Sequence, residues 1–511
     1  MKLDELEDLD VLRALAKGMQ VYQARLERRL KEVSEELARL RGEASPEQLQ
    51  LLATKREEEL ERLRRQVFGA SSERRTPPVK TEAKEPKKPR RGHGPTPQPR
   101  LPIREVHHEL GPECRGCPSC GGEVGELTDM GVTEDSELIT IDSRRIVLEV
   151  HKRHKYRCAC NGAVKTATGP LRLIPGGRYS IEFGIAVVLG KREEHLPLER
   201  QRRVMAREGL DISTQTLCDI EGAVAELLRP SYDLVLAYIQ GADEVGADET
   251  RWRMMAGGGA QTWWMWCLTT DDATYYTLAP SRGSGVARQL LGDFEGTVIC
   301  DGYSVYASLA HPERGVKGLR LAHCHSHVRR KFYEVQTKYP VECEEALKQI
   351  DALFVIERGL PSARSLEGDA KEAALEERAR VRREVSRPRV DALFDWAKQQ
   401  RSLPSSGLRE ALRYMLERED GLRAFLTDPM IPLDNNGAER ALRGPVLGRK
   451  NHYGSRSKHG AEVAAILYTM IETCRRCGVD PEHYLGEALR RALSEPGAAL
   501  LPHALLRGPP G

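Results

Sequence analysis

The sequence predicts a multidomain α+β protein, and three observations carry that prediction. Its 511 residues suffice for about three or four domains of ordinary size. Cys114, Cys117, Cys120, Cys158 and Cys160 fall in one region that holds little else of chemical note. Strand-like runs are concentrated between residues 240 and 335, flanked on both sides by stretches of helical periodicity.

Composition narrows the class. Hydrophobic residues make up 40% and charged ones 30%, the balance of a soluble chain with real cores. There is no run of ~18 apolar residues, which excludes a polytopic membrane protein. The opening Met1-Lys2-Leu3-Asp4-Glu5-Leu6 is acidic and lacks the apolar centre of a secretion signal, so a cytoplasmic location is expected. Lys plus Arg is 79 against 76 acidic residues, a net of +3. So small an excess says nothing about nucleic acid; only the placement of charge does.

Residues 1–72 read as a coiled-coil or helical segment. Leu26, Leu30, Val33, Leu37 and Leu40 form an a/d seam. Ser45-Pro46 breaks it, and a second helix carries Leu49, Leu52, Leu60 and Leu63. The seam suits a dimerising zipper or a helix packed on its own protein. Residues 73–104 hold ten Lys or Arg, three acidic residues and eight prolines. Proline removes amide donors and like charges repel, so this is an extended basic linker. Its stretch from Lys84 to Arg91 suits either a phosphate backbone or plain solvation.

Residues 105–175 form the expected zinc-binding domain. In a reducing compartment, clustered cysteines read as metal ligands. Cys117-x2-Cys120 aims two thiolates at one point, and Cys158-x-Cys160 supplies a second pair for a closed tetrahedral Zn²⁺ site. Cys114 is the spare or the substitute, and His151 or His154 is an alternative ligand. Residues 176–235 suit a helix–turn–helix-like DNA-binding region. Leu198 and Met205 mark one helix, Gly209 the turn, and Ser213 the N-cap of a helix from Thr214 to Leu227. Thr214, Gln215 and Thr216 would then face a groove, with Arg200, Arg202, Arg203 and Arg207 nearby. Such geometry is also common outside DNA binding.

Residues 236–340 hold strand signals at Glu244–Asp248, Thr262–Thr269, Thr274–Leu278 and Thr297–Asp301, with a short helix over Val286–Leu291. Strand, hairpin, helix, strand is the order of an RNase H-like sheet. In that fold the first acid lies on the opening strand, the second ends the fourth strand, and the third comes from a later helix. Asp248, Asp301 and Glu439 fit those places, with Asp434 or Asn435 capping the last helix. Asp243, Glu244 and Glu249 compete with Asp248, and Asp293 and Glu295 with Asp301. Such a trio suits two Mg²⁺ ions ~4 Å apart, one activating a water or 3′-hydroxyl and the other stabilising the leaving oxygen. The Trp263-Trp264-Met265-Trp266 run is a base-stacking candidate, but its alternation favours core. Cys474-x2-Cys477 has no second pair nearby and reads as packing. Residues 341–430 read as a helical insertion, 431–472 as the helix of the third acid with the segment after it, and 473–511 as a C-terminal helical tail.

Beyond these local readings, the chain resembles bacterial DDE transposases of the insertion sequence 66 family. The resemblance rests on Phe68-Gly69 with Ser72-Glu73-Arg74, Gly92-His93-Gly94, the Cys-x2-Cys segment, and His195-Leu-Pro-Leu-Glu-Arg200. It continues through Ala247-Asp248-Glu-Thr250, Asp301-Gly-Tyr303, Asn435-Asn436-x-x-Glu439-Arg440-x-x-Arg443, Gly448-Arg-Lys-Asn451 and Tyr484-Leu485. It implies an RNase H-like α/β catalytic core with a helical insertion, and Asp248, Asp301 and Glu439 as a DDE triad on two Mg²⁺ or Mn²⁺. The zinc would be structural. The block Cys324-x2-His327-x-Arg329-Arg330 would lie near the scissile phosphate, though an aromatic residue is usual where His325 stands. Asn436, Arg440 and Arg443 would support the third acid. Arg449, Lys450, Arg456 and Lys458 would contact the DNA backbone. The implied partners are the terminal inverted repeats and target DNA, a second copy of the chain in a homodimer or higher oligomer, and small accessory proteins of the same element. The implied activity is strand cleavage and strand transfer. The alternatives are a relative that binds DNA without chemistry, and an RNase H-like nuclease that hydrolyses without joining.

Overall fold

The computed structural model describes residues 97–121, 126–142, 145–255, 261–311 and 315–506. The expected coiled coil and most of the basic linker lie outside the described residues. The chain divides into two compact units. One holds residues 1–86, 331–345 and 399–413, and the other holds 87–330, 346–398 and 414–511. Of the first, the described part holds the ends of two helices and the starts of two others. Both sheets belong to the second unit.

The first sheet has the order β1-β3-β2, with β4 also pairing β3. Its strands are β1 (Ile103–His108), β2 (Leu127–Asp142), β3 (Arg145–Cys158) and β4 (Val164–Thr166). The linker expected to reach residue 104 therefore ends two residues early. Two ends of the β2–β3 hairpin do different work. Ile139, Ile146 and Leu148 join the main core of the unit. The far end has only a small cluster of Leu110, Cys117, Leu127, Tyr156 and Cys158. So little buried surface needs a staple to hold it.

Helices α1 (Ile181–Arg192), α2 (Leu198–Arg207) and α3 (Thr214–Gln240) follow. Ser213 caps α3, its hydroxyl accepting the Thr216 N–H at 3.0 Å. The helix runs well past the expected Leu227. The reason is visible in its stripe: after Leu217, Ile220, Val224 and Leu228 come Tyr232, Val235 and Ile239, all buried at the same spacing. Pro230 removes one amide donor without ending it.

The second sheet has five strands in the order β7-β6-β5-β8-β9. They are β5 (Glu244–Met254), β6 (Gln261–Thr269), β7 (Thr274–Ala279), β8 (Thr297–Cys300) and β9 (Arg320–His323). β5, β6 and β7 pair antiparallel, while β5, β8 and β9 pair parallel. β9 is a four-residue strand of mixed polarity that carried no strand signal. Within β6, Met265 and Trp266 are buried, so Trp266 is core. Trp264 lies beneath the guanidinium of Arg282, 4.8 Å from the ring centre.

Helices α4 (Ser284–Leu291) and α5 (Ser304–Leu309) flank β8. Then come α6 (His325–Val335), α7 (Pro340–Arg358), α8 (Gly368–Val381), α9 (Arg387–Gln399), α10 (Gly407–Leu416) and α11 (Glu419–Arg423). Within the second unit this helical stretch is locked by Arg382. That buried side chain pairs with Glu357 and donates to the Phe425 and Asp428 carbonyls. Three helices close the chain: α12 (Asn436–His452), α13 (Lys458–Cys477) and α14 (Pro481–Ser494). Helix α12 lies on β5 and β6, and α13 on β7. Cys474 is buried in α13. No described helix is long and apolar enough to cross a membrane.

Candidate active site

Successive residues of a strand face opposite ways, and this separates Asp248 from Glu249 on β5. The Glu249 carboxylate is fully buried, paired with Arg282 and accepting the Tyr306 hydroxyl at 2.7 Å. Every polar partner it has is internal to the fold. Asp248 faces the other side, and its Oδ1 takes the N–H of Glu249 at 2.8 Å. Burial pushes its carboxyl up to about 7, the neighbouring carboxylates of Glu249, Asp301 and Glu439 adding to the rise against the Glu249 amide. Asp248, Asp301 and Glu439 thus lie in one electrostatic field although they come from three separate elements.

Asp301 stands just beyond β8, which stops at Cys300. Its Oδ1 accepts the Tyr303 N–H at 2.8 Å, a local turn that ends the strand. Gly302 is held on both sides from the helical insertion: its N–H donates to the Tyr414 hydroxyl at 3.0 Å, and Arg418 donates to its carbonyl at 2.7 Å. Asp243, Asp293 and Glu295, the sequence competitors, are exposed. Glu244 is ion-paired with Arg364.

Glu439 sits in the first turn of α12, its N–H bonded to the Asn435 carbonyl at 3.2 Å. Asp434 takes the Asn436 N–H at 3.0 Å and so supplies the cap, while Asn436 donates its side-chain amide back to Asp434. Asn435 has the more consequential place. It is buried, its amide nitrogen donates to the Ala247 carbonyl at 2.8 Å, and its backbone N–H reaches Cys324 Sγ at 3.3 Å. Gly246 makes room for it, since a Cβ there would lie 2.9 Å from Asn435 Oδ1 and 2.7 Å from Thr269 Oγ1.

The Cys324 block divides. Cys324, His327 and Glu439 converge, their ligating atoms all within 4.8 Å of one another. Burial pushes the Cys324 thiol up to about 11. Arg329 instead forks onto Asp351, at 2.6 and 3.2 Å, and is committed to the insertion. Arg330, Arg440 and Arg443 are exposed. His325 is buried against Phe425, with its ring and its N–H both on the Leu433 carbonyl. It ties the start of α6 to the approach to α12.

At the far end of the β2–β3 hairpin, Cys117, Cys120, Cys158 and Cys160 bring four sulfurs within 4.8 Å of one another. Cys117 and Cys160 lie 3.5 Å apart, Cys120 and Cys158 3.8 Å. Against burial, the amides of Cys120 and Ser119 draw the Cys117 thiol down to about 6. The set can hold a metal ion. Cys114 is exposed and outside it. His151 and His154 are turned to other partners, His151 to His108 and Glu149, His154 to His107 and Asp129.

The residues read as DNA contacts lie on two surfaces. A cleft of about 980 Å³ is lined by Thr214 and Gln215 from α3, by Arg456 from the segment after α12 and by His459 from the start of α13. Arg200 and Gln215 are exposed beside it, but Arg203 pairs with Glu199, and Thr214 donates to the same carboxylate at 3.0 Å. Thr216 shares its hydroxyl with Ser213. A second hollow, of about 540 Å³, is lined by Arg251, Arg253, Arg449 and Lys450. Lys458 is exposed.

Comparison with known proteins agrees with this architecture. The family model described as "Transposase IS66 family" matches residues 176–463, from α1 through Glu439 and into α13. The uncharacterized protein y4hP of Sinorhizobium fredii is 31% identical over 405 residues, which is 74% of this chain and 71% of that protein. From the same organism, the uncharacterized protein y4jD is 32% identical across 75% of this chain and 76% of its own length. A third, y4qI, is 29% identical across 73% and 71%. With more than half of its length matched by that model, the chain belongs to the IS66 family of transposases.

Proposed function

We propose that the protein is a DDE transposase that binds the terminal inverted repeats of its element and carries out metal-dependent strand cleavage and strand transfer. The observation that carries this reading is positional: Asp248 lies on β5, Asp301 directly follows the neighbouring parallel strand β8, and Glu439 lies in the first turn of α12, which packs on β5. Its setting supports it: an antiparallel trio and a parallel trio of strands meeting on β5 is the order of an RNase H-like core. A central strand gives one acid, the strand beside it the second, and a following helix the third.

The donors fit divalent cations of the hard class. All three are carboxylates, and burial with like charge leaves Asp248 reluctant to ionise until a cation compensates it. Asp248, Asp301 and Glu439 would hold Mg²⁺ or Mn²⁺, which when bound supplies Lewis-acid activation of the attacking oxygen and stabilisation of the leaving one. The protein's own work is placement. Tyr414 and Arg418 fix the two peptides of Gly302, next to Asp301, and Asn435 ties the helix of Glu439 to the strand of Asp248. The cleft beside Gln215 and Arg456 and the hollow beside Arg449 and Lys450 take the DNA backbone. The four-cysteine knuckle holds structural zinc. Two copies of the chain bring two DNA ends together.

Substitution Asp301→Asn tests the reading. It abolishes cleavage and joining of end-containing DNA while end binding persists; retained cleavage rejects the triad. Removal of residues 1–70 lowers the oligomeric order, and an unchanged mass removes the zipper from the proposal.

A further inference from the structure

A group of possible metal ligands includes Glu439 and is built mainly from donors that magnesium does not favour. Cys324 Sγ, a ring nitrogen of His327 and a carboxylate oxygen of Glu439 fall within 4.8 Å of one another. His327 Nδ1 and Glu439 Oε1 are both buried atoms without a hydrogen-bond partner. They face each other across 3.7 Å. That is too long for a hydrogen bond. It is close to the ~3.4 Å that separates two ligands of one tetrahedral zinc at normal bond lengths. Two atoms without a hydrogen-bond partner and a sulfur thus converge closely enough to hold one ion.

The local fold explains the convergence. Cys324 immediately precedes α6 and His327 lies in its first turn, so a three-residue spacing sets both on one side. Glu439 lies in the first turn of α12. The two helix starts are joined by the Asn435 N–H on Cys324 Sγ and by His325 on the Leu433 carbonyl. An N–H directed at sulfur is the contact that supports a metal-bound thiolate. One sulfur, one imidazole and one carboxylate select a borderline ion such as Zn²⁺ over Mg²⁺. Three protein ligands leave a fourth position open, and the side chains of His327 and Glu439 keep 22% and 25% of their surface exposed.

We propose that Cys324, His327 and Glu439 bind one thiophilic divalent cation, zinc by its donor set, with the thiol proton released to solvent. Glu439 is common to this site and to the proposed catalytic set. Zinc here therefore withdraws the third acid from Mg²⁺ and holds the enzyme inactive, a consequence that rests on the catalytic reading above.

The test uses the full chain, with zinc retained at its four-cysteine knuckle, titrated with Co²⁺ alone in magnesium-free buffer. The wild type takes up one further equivalent per chain, with the charge-transfer absorption of a sulfur–cobalt bond. Cys324→Ser removes that absorption, and His327→Ala weakens uptake at least tenfold, while Cys477→Ser changes neither. Melting temperature shows whether each variant is folded. Because His327 is partly exposed, His327→Ala and His327→Gln decide the matter if Cys324→Ser does not fold. Uptake without a sulfur band, or with unchanged affinity in the folded His327 variants, overturns the site. The catalytic reading fails separately. Asp301→Asn keeps the sulfur band, and its cleavage assay reports on the triad alone. Zinc inhibition that Mg²⁺ relieves in the wild type, and that is absent in Cys324→Ser, supports the shared Glu439. Equal inhibition of both overturns it.

Discussion

The side-chain amide of Asn435 donates to the carbonyl of Ala247 at 2.8 Å, one residue before Asp248 and four before Glu439 on its own helix. A single buried side chain thus sets the distance between two of the three acids. Asn435→Ala leaves the Ala247 carbonyl without that donor and costs about 1–3 kcal/mol of stability. Its larger effect is on rate, because small displacements of reacting groups cost up to ~10²-fold. Cleavage falls by about that factor below the melting transition, with DNA binding unchanged. Asn436→Ala, whose side chain reaches only Asp434, loses much less. Equal losses in the two variants would deny Asn435 its positioning role.

This pair also marks how far the sequence could be read. Asn435-Asn436 stood out as a motif, and Asn436 was the candidate for support of the third acid. The structure buries its neighbour instead. Helix start and cap were readable from residue types. Which of two adjacent amides turns inward depends on the packing of α12 on β5, and Gly246 is its trace in sequence only once the register is known. The strand acids were legible because each ends or interrupts an apolar run. The choice of Asp248 over Glu249 follows from strand alternation plus one long-range fact, the pairing of Arg282 and Tyr306 with the buried Glu249 carboxylate. Tyr414 and Arg418 carried no signal, since they reach Gly302 from more than a hundred residues away. Arg329 looked like a phosphate ligand because Asp351, its partner, lies a further helix along.

Burial holds the carboxyls of both Asp248 and Glu249 above the ordinary carboxylate range. The Asp248 carboxyl rises from its ordinary 3.8 to about 7 in the fold. A group raised in this way favours folding fully at low pH, and that contribution is lost as pH climbs through about 7. Without Mg²⁺, the wild-type melting temperature therefore declines from pH 5 to pH 8, and Asp248→Asn flattens the decline and melts higher at pH 8. Added Mg²⁺ restores the wild type and not the variant. Burial raises the Glu249 carboxyl as well, so its pH dependence has the same sign, and Arg282→Ala, which removes one of the two partners of that buried carboxylate, lowers the melting temperature. Thermal melts across pH check both. A melting temperature of Asp248→Asn that tracks the wild type would place Asp248 outside the shared field.

The zinc knuckle makes a stoichiometric prediction. Four sulfurs within 4.8 Å over a small apolar cluster imply that the metal holds the end of the β2–β3 hairpin. Cys158→Ser therefore lowers bound zinc by about one equivalent per chain and exposes residues around Tyr156 to hydrogen exchange. The remainder of the unit, whose core is separate, keeps its protection. Cys114→Ser changes neither, its thiol being exposed and apart from the set. Zinc content unaffected by Cys158→Ser would show the ion to be elsewhere.

Two segments read separately as DNA contacts, the start of α3 and the stretch after α12, line one cleft, through Gln215 on one wall and Arg456 on the other. Their roles differ in chemistry. Arg456 offers a fixed charge to phosphate, so Arg456→Ala weakens binding of all duplexes alike and reduces the slope of log affinity against log salt by about 0.9. Gln215 offers a neutral amide suited to a base edge. Its Nε2 now donates to Asp219 at 2.8 Å, an exposed bond that water or a base can replace. Gln215→Ala therefore leaves the salt slope alone and narrows the preference for end-derived over random DNA by about 1–3 kcal/mol. Fluorescence titrations at several salt concentrations separate the two effects. An unchanged slope for Arg456→Ala, with preference intact in Gln215→Ala, would take the cleft out of the DNA path and leave that role to the hollow beside Arg449 and Lys450.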